Sequence, residues 1–309
     1  RVLVGRNFVV SGSDQQANEV TAALQSRGAT IFSDHAAAHV HDADAVVISS
    51  AIPEENPEVQ AARKAKIPVM KRSEFLGHLM ADRIGIAVAG THGKTTTTGM
   101  LAHILMEADL DPTVIVGGIL PSMGTNGRFG EGDYFVVEAD EYDHMFLGLK
   151  PEVAIISNIE HDHPDIFPSE DSYREAFEQF ARLLPEGGHL VACATDPETA
   201  VLLEKLNLPG VQTSTYALGV AEDEQPRAKN LAADYLALDL RPNQLGGTDF
   251  LVETEGQMIG LARLRLPGEH NVLNARAAII VATDLGIDFN VIRAALGSFS
   301  GVNRRFELL

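Results

Sequence analysis

Cysteine is almost missing from this chain: Cys193 stands alone in 309 residues. One thiol excludes an internal disulfide framework and fits a reducing cytoplasm. Basic residues are scarce, with 24 Lys and Arg against 43 Asp and Glu and a net charge of −19. That excess repels a phosphate backbone, so no nucleic-acid partner is expected, although one small anion held in a local nest of backbone amides stays open. Long apolar runs are absent too. The run Ala277 to Ala282 is among the longest, far short of the roughly 18 residues of a membrane-spanning helix. No membrane insertion is therefore expected. No basic, apolar, small-residue signal pattern is present, and the expected location is the cytoplasm.

What is there is an ordinary globular composition, 45% apolar and 22% charged, which excludes a disordered or collagen-like chain. At roughly 150 residues per domain the length allows about two domains and a sizeable core. The chain starts at Arg1, inside what reads as the end of a helix, and stops just after the dense stretch Arg304-Arg305-Phe306. Both ends read as internal, as in a piece of a longer protein.

Short apolar runs alternate with helical patterns, the signature of βαβ units and of a parallel sheet covered on both faces. Strands are expected at 8–10, 29–32, 45–49 and 67–70, and helices at about 18–26, 57–65 and 73–80, the last with Ser73 as N-cap. A second α/β region opens at Gly85-Ile86-Ala87-Val88-Ala89-Gly90, with further strands at 114–116, 134–137, 153–157 and 189–193 and helices at about 95–108 and 172–184. From about 213 to 266 the pattern becomes alternating, with turns at Asn243 and Gly246-Gly247, as in an antiparallel edge. Helices at about 272–285 and 290–296 close the region.

Four runs carry chemistry. Gly90-Thr91-His92-Gly93-Lys94-Thr95 directly follows one strand and opens one helix. A Gly-rich bend there turns successive N–H groups toward one point, and the helix N-terminus adds partial positive charge. Lys94 reaches outer phosphates and Thr95 offers a hydroxyl to Mg²⁺. The strict phosphate-loop pattern fails, since Val88 stands where its first glycine belongs and Gly90 sits two positions late. A plain strand–helix turn with an exposed lysine is the alternative. Glu138-Ala139-Asp140-Glu141-Tyr142-Asp143 ends another strand. Carboxylates at that end face the ligand crevice of an open sheet and suit Mg²⁺, which takes one or two of them and keeps waters; a solvated acidic turn reads the same way. Asn158-Ile159-Glu160-His161-Asp162-His163-Pro164-Asp165 follows a third strand and suits a divalent ion or a phosphoryl group, with zinc as a rival and a polar loop as the plain reading. Pro267-Gly268-Glu269-His270-Asn271-Val272-Leu273-Asn274 surrounds a helix start. Its amides and imidazole suit a base edge, and N-capping explains Asn271 nearly as well.

Together, Ala89 to Thr98, Glu138-Ala139-Asp140-Glu141, Asp162-His163-Pro164-Asp165, His270-Asn271-x-x-Asn274 and Gly301-Val302-Asn303-Arg304-Arg305-Phe306 resemble the Mur ligase family, ATP-dependent enzymes that build the peptide of bacterial peptidoglycan. The resemblance covers nearly the whole chain and rests on five ordered motifs. His92 in the loop, Ser11-Gly12-Ser13-Asp14, Ser49-Ser50-Ala51-Ile52 and Asn56-Pro57 resemble the branch that adds L-alanine to UDP-N-acetylmuramate. The resemblance implies a truncated Rossmann-like domain for the uridine nucleotide at 1–83, a P-loop-type central ATPase domain with a mainly parallel sheet and an antiparallel edge at 84–301, and the start of a third domain at 302–309. The leading strand and Gly-rich loop would precede Arg1, and the piece alone is expected to be inactive.

Further roles are implied by position. ATP would lie on Gly90, Thr91, His92, Gly93, Lys94, Thr95 and Thr96, its adenine facing His270, Asn271 and Asn274. Lys94 and Arg305, or Arg304 with it, would hold phosphates. Thr95 and Glu138 would bind a first Mg²⁺, and His163 a second that suits the substrate carboxylate. Asp14, His35 and Ser50 would belong to the uridine nucleotide site. Lys94, His163 and Arg305 are the catalytic candidates; Cys193 reads as core. Tyr142 departs from the branch, which often carries Ser there, and is also seen in the peptide-recycling ligase that attaches a tripeptide. The short stretch Met145 to Pro151 lacks that enzyme's basic and aromatic extension, so alanine addition comes first. Outside this chemistry stand a nucleotide switch that ligates nothing, for which a second metal cluster is superfluous, and folylpolyglutamate synthetase-like chemistry, which favours Gly-Lys-Gly over Gly-Lys-Thr.

Overall fold

The structure is a computed structural model that describes residues 1–16, 18–219 and 233–303. The N-terminal part holds α1 (Val2–Gly5), β1 (Ser11–Ser13), α2 (Glu19–Gln25), β2 (Thr30–Phe32), β3 (Val46–Ile48), α3 (Pro57–Ala65), β4 (Val69–Lys71) and α4 (Arg72–Met80). Its strands form two parallel pairs, β1 with β2 and β3 with β4. Helix starts follow local chemistry. Asn18 caps α2 in a capping box, and Asn56 accepts from Glu58 N with Pro57 preset at the first helical position.

Two expectations here are corrected. Residues 8–10 form no strand: Val10 only lends its carbonyl to Thr30 N at 2.9 Å, and Val9 is fully exposed. Ser73 is not an N-cap. Helix α4 starts one residue earlier, its entry N–H at Lys71 donates to Glu74 Oε2 at 3.0 Å, and Ser73 is buried inside the helix.

The larger part continues with β5 (Ile84–Ala89), α5 (Lys94–Glu107), β6 (Thr113–Leu120), β7 (Thr125–Arg128), β8 (Tyr134–Glu138), β9 (Val153–Ile156), α6 (Glu170–Ala181), β10 (His189–Cys193) and α7 (Pro197–Lys205). It ends with β11 (Gln212–Leu218), β12 (Tyr235–Pro242), β13 (Thr248–Thr254), β14 (Gln257–Arg263), α8 (Glu269–Asp284) and α9 (Phe289–Ser298). One ten-stranded sheet runs in the order β14-β13-β12-β11-β10-β9-β5-β8-β6-β7. The strands from β12 to β6 are parallel, and β7, β13 and β14 are antiparallel. Antiparallel pairing thus begins at β13, not at 213, because β11 and β12 still run with the central strands. Strand β7 and helix α7 were not expected, and β6 extends past the glycines Gly117 and Gly118 to Leu120.

The central strands are apolar without a break because both faces are covered. Alternate residues of β5 face opposite ways: Ile86 and Val88 join a core with Leu101, Ile104, Ile280 and Leu296, while Ala87 and Ala89 join one with Phe146, Phe177 and Phe180. Helices α5, α8 and α9 therefore cover one face and α6 the other. Among the described residues no helix is long and apolar enough to cross a membrane.

Candidate active site

The runs after β5, β8 and β9 hold three of the four sequence motifs, and these strands are immediate neighbours in the order β9-β5-β8. Parallel neighbours end at the same edge, so 90–95, 138–143 and 158–165 meet in one crevice, where open α/β sheets bind ligands.

The loop after β5 is held tightly. Gly90 (φ 135°) and Gly93 (φ 85°) adopt angles that side chains rarely take. A β-carbon on Gly93 would stand 2.4 Å from Asn274 Oδ1, and one on Gly90 2.1 Å from Ser157 Oγ. The Ser157 hydroxyl donates to His92 O at 2.6 Å, and Asn158 accepts from His92 N at 2.9 Å. Gly93 is the N-cap of α5 and no side chain caps it, so the first helix amides point into the crevice as anion donors. Lys94 is buried rather than exposed. Its ammonium donates to Gly90 O at 2.6 Å, Thr91 O at 3.1 Å and Glu141 Oε1 at 2.9 Å.

Glu138 is the last residue of β8. It accepts from the Thr95 hydroxyl at 2.8 Å and from Gly117 N at 2.6 Å, so the first expected metal pair is already in contact. His163 Nε2 lies 3.9 Å from Glu141 Oε1 and 3.8 Å from Asp162 Oδ2, and the Tyr142 ring packs edge-on against the imidazole at 5.1 Å. The Tyr142 hydroxyl donates to Asp165, whose charge holds that phenol above its usual range. His161 turns away to Phe167 O at 2.8 Å. No three His, Cys, Asp or Glu side chains gather on one point among the described residues. A three-ligand zinc site is therefore not formed there, whereas Mg²⁺, which completes its shell with phosphate oxygens and water, fits Glu138 and Thr95.

On the first turns of α8, Asn271 and Asn274 are buried. Asn271 Nδ2 donates to Pro267 O at 2.7 Å, so it braces the turn instead of capping the helix, whose N-cap is Gly268. Asn274 is the residue that lies against the loop after β5, at Gly93. His270 is exposed over Gly268. Thr96 is half-buried on the first turn of α5.

Asp14 and His35 line a separate cavity of about 600 Å³ in the N-terminal part, together with His39, Asn56 and Glu58. Glu58 accepts from the Ser13 hydroxyl at 2.6 Å and pairs with His39 Nδ1 at 2.9 Å, while His35 Nδ1 lies 3.0 Å from Ser13 Oγ. Burial pulls the Glu58 carboxyl upward, but the bonds from Ser13 and His39 outweigh it and hold the group below its usual range. Ser50 is not in the lining of this cavity. Its hydroxyl donates to Asp143 Oδ2 at 2.6 Å, which Lys71 Nζ approaches to 3.3 Å, tying the N-terminal part to the turn after β8. A second cavity of about 420 Å³ lies beside Glu138 and is lined by Arg72, Asn126, Asp140 and Met145. Arg305 falls outside the described residues. Asn303, the last of them, pairs with Ile119 on β6. Burial pushes the Cys193 thiol up, as expected of a core residue.

The sequence does not single out Glu141, Tyr173, Glu58 or Asp143. Nothing local separates Glu141 from the acids around it; its role comes from burial and from the approach of Lys94. The structure adds one signal in backbone angles. Asp143, His144 and His163 all have left-handed φ, at 52°, 54° and 55°, and such strain collects at functional sites.

Profiles of the Mur ligase family match most of the chain: the middle domain over residues 88–282, and the "Mur ligase family, catalytic domain" over 1–84. The chain belongs to the Mur ligase family. It is 43% identical over 307 residues to the UDP-N-acetylmuramate–L-alanine ligase of Geobacter sp. (strain M21), covering 99% of this chain and 63% of that protein. The chain thus spans less than two thirds of that curated relative. Among solved structures it is similar to the UDP-N-acetylmuramate–alanine ligase of Thermotoga maritima, with a TM-score of 0.78 and 32% identity over 96% of this chain and 64% of that one. It is also similar to the UDP-N-acetylmuramate:L-alanyl-γ-D-glutamyl-meso-diaminopimelate ligase of Neisseria meningitides, with a TM-score of 0.83 and 27% identity over 98% and 94%.

Proposed function

We propose that this chain belongs to a cytoplasmic, ATP-dependent ligase that joins L-alanine to the carboxylate of UDP-N-acetylmuramate through an acyl phosphate. The observation that carries the reading is the convergence of Lys94, the Thr95–Glu138 pair and His163 at one sheet edge. Residues 1–83 would take the uridine nucleotide, with Asp14 and His35 in the cavity and Ser50 at its junction with the turn after β8. Residues 84–301 would take ATP, and 302–309 would open the next domain.

The chemistry to be done is the meeting of two anions. The muramate carboxylate attacks the γ-phosphorus and ADP leaves; the alanine amine then attacks the acyl carbon, a proton is lost from nitrogen, and phosphate departs through a tetrahedral intermediate. No side-chain nucleophile is needed. The loop amides and Lys94 hold the phosphates, Asn274 fixes the loop at Gly93, and His270 and Asn271 face the adenine. Arg305 would add charge at the phosphates. Thr95 and Glu138 would hold one Mg²⁺ and His163 a second, and these ions would supply positive charge that offsets the two anions. The work of the site is therefore screening and alignment. The cavity at Arg72, Asp140 and Glu138 has room for the acceptor end of the substrate.

A second reading, transfer of a preformed tripeptide, is favoured by Tyr142 and by the likeness to the Neisseria ligase. Phosphate release from the complete protein with UDP-N-acetylmuramate, supplied in turn with L-alanine, glycine, L-serine and the tripeptide, separates the two. L-alanine should give the highest kcat/KM; a preference for the tripeptide would move the assignment to the recycling reaction.

A further inference from the structure

Glu141 is 1% exposed and sits between the phosphate loop and His163. Its Oε1 accepts from Lys94 Nζ at 2.9 Å, while its Oε2 is buried and has no hydrogen-bond partner among the described residues. None of the neighbouring protons reaches Oε2. Lys94 directs its other two toward Gly90 O and Thr91 O. The Tyr173 hydroxyl stands 2.9 Å from Thr91 Oγ1, whose own proton goes to Glu160 O, and it donates to Glu141 Oε1 at 3.4 Å, which leaves Oε2 empty. A buried carboxylate with an empty oxygen is costly unless a cation faces it. From the opposite wall His163 Nε2 approaches Glu141 Oε1 to 3.9 Å, too far for a hydrogen bond. One ion bonded to both atoms at about 2.1 Å fits within that separation.

We propose that Glu141 is, with His163, a ligand of the second divalent cation, and that Lys94 takes that cation's place while the loop holds no nucleotide. The proposal rests on the reading of the loop as an ATP site. A triphosphate that draws the ammonium toward its own oxygens strips Glu141 of its counter-ion, and the incoming ion restores it. Lys94 and the second metal would thus exchange on one carboxylate, so that full metal occupancy follows nucleotide binding.

The test counts Mn²⁺ bound per chain by electron paramagnetic resonance, with a non-hydrolysable ATP analogue present, in wild type, Glu141→Gln and His163→Ala. Metal-free analogue affinity is measured by calorimetry on the same samples. Wild type should hold two ions. Each variant should bind the analogue without metal yet lose the weaker ion, by at least about tenfold in affinity. Two ions at wild-type affinity in Glu141→Gln overturn the proposal. So does loss of metal-free analogue binding in that variant, which would make Glu141 a support for the loop alone, and so does loss of an ion in only one of the two variants. Fewer than two ions on wild type defeats the two-metal reading itself, and this assignment with it.

Discussion

Lys94 and Glu141 form a buried ion pair, 10% and 2% exposed at their side chains, and removing one member of such a pair leaves the other charged and uncompensated. Lys94→Met should therefore abolish ATP binding and also cost about 3–5 kcal/mol of stability. Lys94→Met combined with Glu141→Gln should regain most of that stability in urea unfolding while still failing to bind ATP by calorimetry. Recovery of neither, or of both, contradicts the pairing. Glu58 makes the cavity of the N-terminal part sensitive to pH. Its carboxyl is held below its unfolded value, so its contribution is present above the unfolded pKa and lost as pH falls through the folded one. The stability difference between wild type and Glu58→Gln should be constant from neutral pH to about pH 5 and shrink below about pH 4; a difference that grows on acidification would contradict the sign. Lys94 and Glu138 were legible in the sequence because glycine spacing and a strand end mark them. Glu141 and Glu58 were not, because their roles come from partners 47 and 45 positions away.

Among the elements, the turn from β5 into α5 is the most constrained. Gly93→Ala places a methyl at φ 85° and 2.4 Å from Asn274 Oδ1. Strain of that kind costs about 1–3 kcal/mol, and nucleotide affinity should fall with the urea midpoint. Helix starts give a paired test. Asn56→Ala should cost about 1 kcal/mol, as the loss of a true N-cap does, and Ser73→Ala clearly less, because Ser73 caps nothing. Equal losses would contradict the assignment of the two starts. Central strands were readable from their apolar runs, and 189–193 was placed to the residue. Elsewhere local signals competed. Phe8, Val9 and Val10 are strand formers, but their backbone bonds run to the helix end at Leu3 O and, through Val10 O, to Thr30, so no ladder forms over them. The glycines of β6 hid half of a strand whose pairing to β7 and β8 sets its length.

In the whole molecule the site is a product of strand order. No local pattern states that β5 lies between β9 and β8, yet that order alone turns three runs scattered over 90–165 into one crevice. The sequence marks three polar runs at strand ends, and the strand order places them at one edge of the sheet. The link from Ser50 and Lys71 to Asp143 joins that edge to the part bearing Asp14 and His35. Asp143→Asn should loosen this junction and raise the KM for the uridine nucleotide in the complete protein, with the ATP KM unchanged; a change confined to ATP would contradict it. The most direct measurement of carboxylate activation follows oxygen. The complete protein is given UDP-N-acetylmuramate labelled with ¹⁸O in its carboxylate, together with ATP, Mg²⁺ and L-alanine, and the released phosphate is weighed by mass spectrometry. Transfer of one labelled oxygen to each phosphate is the expected result. Unlabelled phosphate alongside product would mean that no acyl phosphate forms at this site.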